Sequence, residues 1–483
     1  MAENQALATD ELEGDDLSSP GIVTYKTPSG QLVTLSQEAM DAYGEAYINQ
    51  AALATGKNKV LFADENLLEY AQSQFPDSDT PLIDAYPDYM PSGDDLLQDM
   101  DDMPQKILGM DREEFRNGAN EKYEEQVKDN IESNSPGALA KPLKDSALII
   151  IPSPSSLSDN EFKDGLISGL SSLDIDKFGA MPGNSMDWAK FAISHEIGHI
   201  VGGHSDQQFQ RIIDSMKSGN LASNVNSINE NRMTIKGEIE ADISAARDFN
   251  IVSGAIPPIP QAFADLRIIN SVMSKDDVIT LGGNGKSLDD HNTGNALQDY
   301  LDGKDLSGAD PDKIQFNTAY TNTLIYGFIG AADGESSFED RKKRFLPGYE
   351  DNPLRSLAGG IINKDGFEQS MQGNDPMKLV SLGKQLSKNS PEEVYAATKA
   401  LYESGEFDHS PETKKSADRF IKAIERSAPG IVNQEMVDKY RDAASDPANK
   451  EYLQHLHRYN TPDNKIGYLY QPSPQAPSPN IQP

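Results

Sequence analysis

The chain has 483 residues and a net charge of −34, from 77 acidic against 43 basic side chains. A field of that sign disfavours nucleic acid and anionic membrane surfaces as partners and favours solubility and basic or neutral ones. There is no cysteine, which excludes disulfides, thiolate metal sites and cysteine nucleophiles, and the length leaves room for two to four domains.

Residues 1–20 are acidic, show no apolar run of a secretory signal, and read as disordered. Residues 22–35 alternate as a hairpin should, with a turn at Pro28, Ser29 and Gly30. A helix over 36–55 follows, capped by Ser36, with Met40, Tyr43 and Tyr47 on one side. Residues 76–103 are acidic and punctuated by proline, as a surface loop, a linker or a cleft-covering pro-segment would be, without the ligand spacing of an EF-hand. The most strand-like segment is 146–152, either an edge or an interior strand, and Ser158 with Glu161 reads as a capping box opening the next helix. The spacing then predicts a helix over 186–201, with Ser185 as N-cap and Gly202 and Gly203 as its stop. Ile193, Ile197, Ile200 and Val201 form one apolar stripe; Trp188, Phe191, His195 and His199 fall near a second. The single tryptophan is expected in the core.

That helix carries the chemistry. His195 and His199 are four apart, so both can offer a ring nitrogen to one ion from one helix face. Glu196 stands one residue round from His195, where it can take a proton from a metal-bound water. A zinc site needs a third protein ligand. His204 and Asp206 lie just beyond the helix, although Ser205 between them reads as the N-cap of a helix running to 216. The alternative is Glu238, in a predicted helix over 234–249 on which Ile235, Ile239, Ile243 and Ala246 recur at helical spacing. Asp242 shares the face of Glu238 and can accept the free N–H of a liganding histidine. Ala241 and Ala245 would let two helices approach closely. Glu240 points about 160° away from both carboxylates and is a reserve ligand.

The pattern HExxH followed by ExxxD on a later helix resembles the gluzincin metallopeptidases, the thermolysin-like zincins. Gly202 also occupies the glycine position of the metzincin pattern, but the third-ligand position of that pattern is Ser205 here. The gluzincin resemblance implies zinc held by His195, His199 and Glu238, with Glu196 as the general base. Thermolysin-like enzymes also carry a histidine before an Asn-Ser-Gly turn at the start of a helix. Here Asp289, Asp290, His291, Asn292, Thr293 and Gly294 are similar, except that His291 directly abuts Asn292. The resemblance implies that His291 stabilises the oxyanion, with Tyr300 as the fallback. His409, His455 and His457 are expected on a remote surface.

Residues 257–273 predict another helix near the metal helices, and 282–287 a glycine-rich loop without the residues of a phosphate cradle. Beyond 303 the chain reads as mostly helical. The basic run Arg341 to Arg344 is a solvated face, and prolines stand at the first turn of helices over 390–404 and 410–427, which bundle with 434–446. Residues 461–483 are proline-rich, hence disordered or polyproline II. No apolar run approaches the roughly 18 residues of a membrane span.

The expected fold class is α+β, predominantly helical. Its parts are an acidic lead-in (1–20), an accessory region (21–145), a zincin-like core (146–302), a helical C-terminal domain (303–460) and a tail (461–483). The expected function is a zinc-dependent endopeptidase acting on a protein or peptide, without nucleic acid or membrane. It would be soluble, either cytoplasmic or exported without a signal peptide, for instance as a bacterial effector. The alternative is a non-enzymatic interaction or assembly protein, cellular or viral, with a degenerate or coincidental HExxH. Substrate and oligomeric state stay open.

Overall fold

The computed structural model describes residues 21–90, 93, 111–141, 145–158, 160–203, 224–253, 258–273, 292–304 and 389–450, with isolated positions from 317 to 332 and at 453–454. For 224–234 and 250–253 it describes the backbone alone. The expectations for 1–20, His204 to Asp206, the helix to 216, 282–287, His291, 341–344, His455, His457 and 461–483 lie outside the described residues.

The chain divides into two compact units, Met1–Ser156 with Ser205–Ile213 and Leu157–His204 with Asp214–Pro483. The first holds a five-stranded mixed sheet in the order β1-β2-β3-β5-β4. Strands β1 (Ile22–Lys26) and β2 (Leu32–Ser36) form the hairpin, closed by Gly30 at φ 93°. Strand β3 (Lys59–Ala63) runs parallel to β2, and β5 (Ser146–Ile150) parallel to β3. Antiparallel β4 (Gly137–Ala140) completes the order. All of β5 is buried, as a strand with neighbours on both sides requires, so it is interior.

The helix expected over 36–55 is two helices. Ser36 does cap α1 (Gln37–Tyr43), but Gly44 at φ 83° breaks the run before α2 (Glu45–Ala54). Strand β3 leads into α3 (Glu65–Gln74). Part of the acidic segment is not surface: α4 (Pro81–Ala85) buries Leu82 and Ile83, and Glu124 of α5 (Arg112–Glu132) accepts from both their backbone N–H groups.

The second unit is helical. Helix α6 (Glu161–Ser171) has Asn160 at its N-cap position, two residues after Ser158. Helix α7 (Ser185–Val201) begins one residue early. Its N-cap is Asn184, in a capping box with Asp187, while Ser185 is buried and accepts from the Lys163 N–H at 3.3 Å. Trp188 is fully buried, its indole N–H donating to the Pro182 carbonyl at 2.8 Å. Val201, expected in the apolar stripe, is 56% exposed. Helices α8 (Asn224–Ser253) and α9 (Pro258–Met273) follow, α8 overrunning its expected ends, then α10 (Gly294–Leu301). Helices α11 (Pro391–Glu403) and α12 (Pro411–Ser427) start with proline in the first turn, and α13 (Gln434–Ser445) closes the set. Ile268 and Val272 of α9 share one core with Phe328, Val394, Phe420 and Tyr440. Among the described residues, no helix is long and apolar enough to cross a membrane.

Candidate metal centre

Two helices set the centre. Gly198, inside the histidine motif, faces Ala241 of α8: a Cβ on residue 198 would lie 2.7 Å from the Ala241 Cα. Ala241 and Ala245 are fully buried, and small residues on both sides are what lets α7 and α8 come that close. Two turns earlier on nearly the same face of α7, Phe191 meets Phe249 of α8 at 5.6 Å and Phe263 of α9 at 4.8 Å between ring centroids. The motif helix is therefore packed against both α8 and α9.

At this crossing His195, His199 and Glu238 turn their donor atoms toward one another. The two Nε2 atoms are 3.1 Å apart. Glu238 Oε2 stands 3.3 Å from His195 Nε2, and Oε1 stands 3.4 Å from His199 Nε2. A tetrahedral ion with ligand bonds of 2.0–2.1 Å separates its ligands by about 3.3 Å. The spacing and the donor types both fit a divalent metal, and the burial suits one: His195 is 7% and Glu238 9% exposed. His199 is half-buried, as is Glu196, which leaves one side of the group nearer solvent.

Behind the donors lies Asp242, fully buried, with Oδ1 2.8 Å from His195 Nδ1. The ring N–H is not aligned on that oxygen as a straight hydrogen bond requires, so the contact is a close ion pair. Thr293 donates its hydroxyl proton to the other oxygen, Oδ2. Arg267 of α9, 4% exposed, places one guanidinium nitrogen 3.7 Å from both Glu238 Oε2 and Asp242 Oδ1, and lies 4.9 Å over the Phe263 ring. Burial alone would push the Asp242 carboxyl up, but Arg267 and His195 outweigh it and hold the group below its ordinary range. Burial would likewise depress the His195 imidazolium; Asp242 and Glu238 overcome this and raise its pKa to about 10.

The structure thus brings together His195, His199, Glu238 and Asp242 from the residues singled out in the sequence. Glu240 is exposed and paired with Lys236 at 3.6 Å, away from the centre. His409 is exposed. Thr293 reaches the centre through Asp242, and His291 lies outside the described residues. Arg267 and Thr293 were not anticipated. Arg267 had a signal: with Asp265 it is one of only two charged residues in the otherwise uncharged run of α9. Comparisons with known protein-family models, with curated proteins and with solved structures each found no match.

Proposed function

We propose that this chain is a zinc-dependent endopeptidase of gluzincin-like type, with His195, His199 and Glu238 as the metal ligands. The convergence of two imidazole nitrogens and one carboxylate at ligand spacing is the observation that carries the reading. Zinc, when bound, polarises a carbonyl and makes water a nucleophile at neutral pH. Glu196 follows His195 directly in the chain, on the helix that presents both imidazoles. It would take the proton of the attacking water and return it to the leaving amine, a two-way role suited to one half-buried carboxylate. Asp242, in close charge contact with His195 Nδ1, orients the ring so that Nε2 is left for the metal. His291 would donate to the developing oxyanion.

Support for zinc over harder cations lies in the donor set: two imidazoles and one carboxylate suit zinc, whereas calcium and magnesium take oxygen donors. The test is elemental analysis of the purified chain after dialysis against a weak chelator, followed by peptide hydrolysis with Glu196→Gln as control. About one zinc per chain, with hydrolysis present in the wild type and lost in the variant, supports the reading. A folded chain that takes up no zinc would leave HExxH a coincidence and the interaction protein standing.

A further inference from the structure

We propose that Thr293 is a positioning residue of the metal centre: its hydroxyl fixes the Asp242 carboxylate so that the opposite oxygen faces His195. The proposal rests on the metal reading above for its consequence, but its geometry stands without a metal.

Asp242 has two oxygens, and each has its own task. Oδ1 faces His195 Nδ1 at 2.8 Å and Arg267 at 3.7 Å. Oδ2 accepts from Thr293 Oγ1. With that oxygen engaged, the carboxylate cannot swing toward Arg267 without leaving a buried acceptor without its donor. Thr293 and Asp242 are both fully buried, so bulk water does not compete with the hydroxyl for that oxygen.

Thr293 is itself placed from two sides. It is the N-cap residue of α10, and Gly294 beside it meets the backbone of α9, where a Cβ would lie 2.5 Å from the Ile268 nitrogen. Only glycine allows that approach, and it sets Thr293 next to the turn of α9 that carries Arg267. Further along α10, Arg419 of α12 donates to the Asn295 carbonyl at 2.8 Å and to Asp299 at 2.6 Å, and Lys415 reaches Asp299 at 2.6 Å. Helix α10 thereby delivers one hydroxyl to a defined point, fastened by residues more than a hundred positions later.

The experiment compares Thr293→Val, which keeps shape and removes the donor, with Thr293→Ser, which keeps the donor. The first readout uses metal-free protein with labelled histidine, of which the chain has seven. Thr293→Val should shift the His195 Nδ1 proton and speed its exchange with solvent, leave the other histidine signals in place, and be reversed in Thr293→Ser. The second is zinc affinity, expected to fall about tenfold or more in Thr293→Val and to recover in Thr293→Ser, the range seen when a residue behind a liganding histidine is lost. An unchanged His195 proton in Thr293→Val would overturn the proposal, as would a change spread over all histidines that serine does not repair. A wild-type chain that binds no zinc would overturn the metal reading alone, since the His195 proton still decides the role of Thr293.

Discussion

Two clusters of charged side chains in the helical unit are built on different logic. Around α12, opposite charges meet: Arg426 grips Asp265 at 2.5 Å, Ser427 adds its hydroxyl at 2.8 Å, and Arg419 bridges Asp299 and Asp302 at 2.6 and 2.7 Å. Each of these three side chains donates to a carboxylate. At the candidate metal centre, electron-pair donors meet one another: two Nε2 atoms at 3.1 Å and a carboxylate at 3.3–3.4 Å from both. Such a group is stable when a cation, a proton or a metal, sits among the lone pairs. Charge matched pair by pair builds a scaffold; three metal-ligating donors that converge on one point make a candidate site.

Glu196→Gln should break the chemistry and spare the centre. Hydrolysis is expected to fall by about three orders of magnitude or more, with zinc content unchanged, as assays of peptide cleavage and elemental analysis would show. The converging cluster should also respond strongly to pH. A proton on His195, retained up to about pH 10, must leave before the ring can bind metal. Zinc affinity measured by competition should therefore rise about tenfold per pH unit through neutrality, and flatten near pH 10. In metal-free protein the sign is opposite for stability. The raised pKa means the folded state holds a proton that the unfolded state releases above its ordinary 6.5, so the melting temperature should decline between pH 6.5 and about 10.

Glu238→Ala removes the proposed third ligand and should weaken zinc binding by about a hundredfold. Full affinity in that variant would remove Glu238 from the ligand set. Gly198→Ala tests the crossing of α7 and α8: the added methyl meets Ala241 backbone, so the helices must part, at a cost of about 1–3 kcal/mol in unfolding free energy and with weaker zinc binding. The matched cluster should behave otherwise. Arg426→Leu leaves Asp265, 1% exposed, with Ser427 and Gln261 as remaining donors. Because the arginine side chain is itself 46% exposed, the loss should be about 1–2 kcal/mol, with zinc stoichiometry untouched. If Arg426→Leu abolished zinc binding, the two clusters would not be separable.

Much of the centre was legible because it is local. Four residues of spacing place His195 and His199 on one face, and the same spacing pairs Glu238 with Asp242; helical period alone dictates both. The capped start of α7, the proline starts of α11 and α12, and the buried β5 follow from the same short-range rules. Helix ends were less secure, since Asn184 and Ser185 are both good caps and only the burial of Ser185 separates them. Helical period could not join the two halves of the candidate ligand set, about forty positions apart; only the family resemblance paired them, and Gly198 and Ala241 are the small residues that let them meet. Arg267 and Thr293 needed the tertiary structure outright. A lone arginine in an apolar helix and a threonine at a helix start fit many folds, and only the packing of α9 and α10 against α8 gives each a carboxylate to hold. The sequence determined which residues could bind a metal; the packing of helices distant in the chain decided which of them meet, because that depends on contacts no local period encodes.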